Sequence, residues 1–158
     1  MAMSRTTLAS ELLNLVPVAT EVEAAQTFTD AYATFAAGAT AGPSTITPTG
    51  IALGKAAMAA ALVGMSAPGA GASSITSGVQ AFWSAVASGL ATSFAGALAI
   101  VPPPHAGLNS ALGDAFDANT SSAATKEAAT SRIADALYTQ AVAGGTVTYF
   151  GPVVVPII

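Results

Sequence analysis

The chain has no cysteine. Thiolate zinc sites, iron–sulfur clusters, disulfides and thiol nucleophiles are therefore excluded. It has one histidine, His105, too few for a histidine-based metal centre. Charge is equally scarce. Four Lys/Arg and eight Asp/Glu make up 8% of 158 residues and give a net charge of −4, against roughly 25% charged residues in an ordinary soluble domain. Nucleic-acid contact is not expected, because counterion release needs clustered cations and these four are scattered. Between Lys55 and Asp114 no residue carries a formal charge. No Gly-x-Ser-x-Gly elbow occurs, and the Gly/Ala/Ser stretch 68–74 lacks the Gly-Lys-Ser/Thr ending of a phosphate loop. Neither a catalytic residue nor a cofactor is expected.

What is present is apolar and small. Hydrophobic residues make up 53% of the chain, and alanine alone about a quarter, well above its usual share. The length suits one domain. Glu11 interrupts the first apolar run after Arg5, so no secretory signal is expected.

Spacing predicts a first helix over 4–15, ending near Pro17. A second follows from Thr20 to about Ala37, with Glu21 and Glu23 in its first turn, where the helix dipole favours anions. Val22, Ala25, Phe28, Tyr32 and Phe35 are expected on its buried face. Residues 38–49 read as a linker. Thr47-Pro48 then opens a helix to about Met65, because proline at the first helical position loses no hydrogen bond. Residues 66–78 read as a second linker. In 79–101, Phe82, Val86, Leu90, Phe94 and Leu98 recur at every fourth position and predict one long helix, stopped by Pro102-Pro103-Pro104. A short helix is expected around Leu108, Leu112 and Phe116. The next is capped by Thr120 or Ser122, carries an Ala129, Ile133, Leu137 and Ala141 stripe, and ends at Gly144-Gly145.

The final residues change character. Thr146-Val147-Thr148-Tyr149-Phe150 is β-branched and aromatic, and Val153-Val154-Val155 continues extended beyond Gly151-Pro152. The expected fold class is thus mainly α: one domain of four to six helices over 1–143, with an extended β arm over 144–158. Val147, Tyr149, Phe150, Val153, Val154, Val155, Ile157 and Ile158 are too apolar to remain in water, since burying one such side chain contributes roughly 1.5–3 kcal/mol. They are the expected interface, with the arm docking on another subunit. The competing expectation is that the arm packs on its own helices as a hairpin through Gly151-Pro152.

Candidate chemistry is thin. His105 lacks an orienting acid or a nucleophile nearby in sequence, and Asp114 and Asp117, three apart, suit a solvated helix end as well as acid/base work. The 79–101 segment has the length to span a bilayer, which makes a membrane pore or holin-like protein the alternative reading. Its serines, threonines and glycines offset its apolar residues, and its flanks lack the Lys/Arg that orient a span.

The stretch from Phe94-Ala95-Gly96-Ala97 to Pro102-Pro103-Pro104-His105-Ala106-Gly107-Leu108, the helix over 123–142 and the Gly144-Gly145-Thr146-Val147-Thr148-Tyr149-Phe150-Gly151-Pro152 ending together resemble small structural proteins of tailed bacteriophages and related contractile particles. Those chains are often rich in Ala, Thr, Ser and Gly, poor in charge, free of cysteine and equipped with an extended terminal arm. The likeness covers about the last two fifths of the chain and is one of style, so it carries over no functional residue. It implies a non-enzymatic structural subunit of a virion in the tail, neck, baseplate or shell. The partners implied are further copies of the chain and other structural proteins of the particle.

Overall fold

The computed structural model describes residues 3–15, 20–62, 70–119, 125–151 and 153–158. The chain is mainly helical, with short antiparallel strands. Among the described residues there are six α-helices: α1 (Arg5–Leu13), α2 (Glu21–Ala36), α3 (Pro48–Ala61), α4 (Gly71–Gly89), α5 (Leu108–Asn119) and α6 (Lys126–Ala141). Five strands accompany them: β1 (Thr40–Ala41), β2 (Ser44–Thr45), β3 (Ala99–Val101), β4 (Thr146–Tyr149) and β5 (Val153–Pro156).

The helix starts follow local chemistry. Ser4 Oγ accepts from the Thr7 N–H at α1. At α2, Thr20 Oγ1 accepts from the Glu23 N–H while the Glu23 carboxylate accepts from the Thr20 N–H, a reciprocal cap that satisfies two otherwise orphaned donors. Thr47 caps α3 by accepting from the Gly50 N–H at 3.0 Å, with Pro48 at the first helical position. Thr125 caps α6, so that helix starts a turn later than Ser122. Pro17, Met65, Thr120 and Ser122 lie outside the described residues.

The core centres on α4. Ile75, Val79, Phe82, Trp83 and Val86 are buried at three-and-four spacing. They meet Phe28, Tyr32 and Phe35 of α2 and Met58 and Leu62 at the end of α3. The Phe82 ring packs edge-on to Tyr32 with centroids 5.2 Å apart, and Trp83 lies 5.5 Å from Phe82. The Trp83 indole N–H donates to the Tyr32 hydroxyl at 2.8 Å. Burial pushes the Tyr32 phenol above the ordinary tyrosine range, and the Trp83 hydrogen bond only partly offsets this. Gly54 of α3 faces Phe82 so closely that an added Cβ would stand 2.6 Å from the ring. Glycine there allows the two helices to meet.

Several elements differ from the pattern in the sequence. Val22 is exposed rather than on the buried face of α2, where burial begins at Ala25. Residues 38–49 are not a plain linker. Thr40 pairs with Thr45 and Ala41 with Ser44 in a small hairpin turning at Gly42-Pro43. Of the second expected linker, 71–78 is helix, because the apolar stripe of α4 already begins at Ile75. The buried face of α6 is also rotated from the expected stripe: Thr130, Ala134, Leu137, Gln140 and Ala141 face inward, while Ala129 and Ile133 are half-buried.

The largest difference lies in 79–101, which is not one helix. α4 ends at Gly89, and Leu90 adopts φ 44°, ψ −120°, the geometry of the first corner of a type II′ turn. A 3-10 turn (Leu90–Thr92) follows. The chain is held here by long-range bonds. The Thr47 N–H donates to Ser93 O at 2.8 Å, the Thr47 hydroxyl donates to Thr92 O, and Ile46 bridges Phe94. Phe94 enters the core, whereas Leu90 and Leu98 stay exposed. The fourfold spacing of these residues therefore marks two unrelated burial events. Among the described residues, no helix is long and apolar enough to cross a membrane.

The 144–158 segment is not a detached arm. β4 pairs antiparallel with β3 on one side and β5 on the other, giving the order β3-β4-β5. The register sets Ile100 opposite Val147 and Val147 opposite Val155. The segment then reaches the first hairpin, where Ala41 bridges Ile157. Gly145 lies flat against Pro103, where a Cβ would come within 2.8 Å of the ring. The buried Gln140 amide donates to Pro103 O beside it.

Candidate protein interface

Strand alternation divides the C-terminal sheet into two faces. The inward face carries Ile100, Val147 and Ile157, all buried, with half-buried Tyr149 and Val155. The Tyr149 hydroxyl donates to Ala41 O at 3.0 Å and ties β4 to the first hairpin. The outward face carries two rows across the strands. Ala99, Thr148 and Val154 form one, and Val101, Thr146 and Pro156 the other. Phe150, at the hairpin turn, and Ile158 continue the outward side.

The eight residues expected at an interface are thus divided by the fold. Val147 and Ile157 are buried inside this chain and are not available to a neighbour. Tyr149 and Val155 are half-buried on the same inward face. Phe150, Val153, Val154 and Ile158 are exposed, and Phe150 is 89% accessible. β4 and β5 form a hairpin within this chain, and its own β3 is the strand that pairs with it.

Reading 79–101 as helix concealed two further members of the surface, Leu98 and Val101. The signal was Ile100-Val101, a β-branched pair directly before three prolines, which suits an edge strand better than a helix end. With these two, the exposed large hydrophobic side chains among the described residues are Val22, Leu53, Leu90, Leu98, Val101, Phe150, Val153, Val154 and Ile158. Six of the nine belong to the β3-β4-β5 sheet or lie within two residues of its strands. No Asp, Glu, Lys or Arg lies in any of the five strands.

The residues considered for chemistry do not converge. His105 sits exposed in the loop after the three prolines. Asp114 lines an open groove of about 730 Å³ between α5 and α6, together with Leu108, Arg132, Asp135, Thr139 and Gln140, whereas His105 and Asp117 are not part of its lining. Asp135 also faces α1, where the Arg5 guanidinium lies 3.0 Å from its Oδ1. Among the described residues, no group of His, Asp or Glu could hold a metal ion. Asn119-Thr120-Ser121, an acceptor pattern for glycosylation, falls largely outside the described residues. The chain matches no protein-family model, no curated protein and no solved structure.

Proposed function

We propose that this protein is a non-enzymatic structural subunit of a virion or virion-like assembly, placed in the tail, neck, baseplate or shell. The observation that carries the reading is the C-terminal sheet with its adjoining residues, which bears no charge and holds six of the nine exposed large hydrophobic side chains among the described residues, four of them (Val101, Phe150, Val154 and Ile158) on the outward face. A surface that gathers exposed apolar side chains without charge marks a protein contact more often than a solvated surface. The twelve formal charges leave the rest of the molecule with a thin polar coat, which suits a chain whose surroundings are other chains. Assembly would proceed by burying apolar and small side chains between copies and against other structural proteins.

The test is the size of the purified protein, by light scattering and sedimentation, with and without detergent. A discrete multimer in the absence of detergent is the expected result. A species that needs detergent to stay dispersed, or a monomer at every concentration, overturns the reading.

A further inference from the structure

We propose that the outward face of the β3-β4-β5 sheet is a self-docking surface on which two copies pack sheet against sheet about a two-fold axis. The inference rests on the structural-subunit reading and names its first partner, a second copy of this chain.

The backbone edge of β5 offers little to an incoming strand. The Ile157 N–H donates to Gly145 O at 2.8 Å, which sets the phase of the ladder. Val153, Val155 and Ile157 bond toward β4, so Val154, Pro156 and Ile158 turn their main-chain groups away from it. Pro156 has no N–H to give. The N–H and C=O of Ile158 are both taken by Thr40, each bond 2.9 Å long. Strand addition would find one complete residue, Val154. The contact is therefore made by the face and not by the edge.

Charge selects the occupant. All twelve formal charges lie on α1, α2, α3, α5 and α6, and none lies on α4 or the strands. Two copies that each carry −4 repel wherever charged faces meet. A two-fold contact is made by the same patch of both copies, so a patch of one charge sign would oppose that sign. The uncharged sheet face is where copies of this chain can approach without that cost.

Area agrees. Scaled by ordinary side-chain areas, the four exposed hydrophobics of the outward face, Val101, Phe150, Val154 and Ile158, present on the order of 500 Å². Exposed Ala99 and Pro156 and half-buried Thr146 and Thr148 extend this to about 600 Å², the lower end of what each partner contributes to a standard interface. Sheets packed this way stand about 10 Å apart with strands within about 30° of alignment, so the dimer would be layered helix, sheet, sheet, helix.

The experiment uses the full chain in sedimentation equilibrium. Val154→Asp and Val101→Asp should each weaken self-association on the order of a hundredfold, because each places an unpaired charge in a desolvated contact. Leu53→Asp, on α3 away from the sheet, should leave it unchanged. Circular dichroism and a cooperative melt establish that each variant is folded. If Val154→Asp and Val101→Asp, each folded, leave the wild-type multimer intact, the docking surface is wrong while the subunit reading stands. A wild-type chain that stays monomeric overturns both.

Discussion

Thr40 and Ile158 exchange both main-chain hydrogen bonds, each 2.9 Å long, across 118 positions of sequence. This pair fastens the C-terminal hairpin to the β1-β2 hairpin and drives the neighbouring Ile157 into the core, where it is fully buried. The tail therefore acts first on the stability of its own domain.

Ile157→Ala should cost about 2–5 kcal/mol of unfolding free energy, the usual range for emptying a buried isoleucine site. Phe150→Ala should change stability by no more than about 0.5 kcal/mol, since Phe150 meets mostly water within the monomer. Urea unfolding of both variants measures the difference. Equal costs would contradict the inward and outward division of the hairpin.

Trp83 and Tyr32 should show strong coupling. Tyr32→Phe leaves the buried indole N–H without its acceptor, which costs about 1–3 kcal/mol. Trp83→Phe removes the donor and also leaves a void. A double-mutant cycle should show that the two losses do not add, because both variants delete the same hydrogen bond. Additive losses would place the two side chains out of contact.

The same burial sets a pH dependence at the alkaline end. The folded-state pKa of Tyr32 lies above the unfolded value of 10.0. Below pH 10 both states keep the phenol protonated and the contribution is constant. Above it the unfolded chain ionises first, so stability should fall by about 1.4 kcal/mol per pH unit until the folded pKa is reached. In an ultraviolet titration, Tyr32 should ionise only with unfolding. Tyr32→Phe should flatten this part of the stability profile. A phenol that titrates near 10 in the folded protein would contradict its burial.

Leu90 carries a backbone conformation suited to glycine. Leu90→Gly and Leu90→Ala both delete the half-exposed side chain, so their difference isolates the backbone. The glycine variant should be the more stable by about 1 kcal/mol or more, because a non-glycine residue at such an angle stores about 1–3 kcal/mol. The same stability in both would mean that the chain does not turn at Leu90.

Assembly through an uncharged face should depend weakly on salt, because screening acts on exposed charges and few are placed to matter. Raising ionic strength from low to moderate should leave the multimer in place in sedimentation runs. Dissociation over that range would point to an ionic contact on the helical side instead.

The helical class, the caps at Thr20 and Thr47 and most of the buried face of α2 could be read from the sequence. Each depends on residues within a turn or two of one another, where side-chain spacing and hydroxyl-to-amide bonds operate. The scarcity of charge and the strand character of the final residues were likewise set by composition and local propensity. The tertiary structure decided which surface those residues leave exposed. Thr47 reaches Ser93, Ile46 bridges Phe94, and β4 finds β3, so a run with helical spacing breaks at Leu90 and its far end becomes a strand. Those bonds join residues 45 to 49 positions apart. Local periodicity records that a side chain is buried, but only the assembled fold supplies the distant backbone partner that determines in which element, and against what.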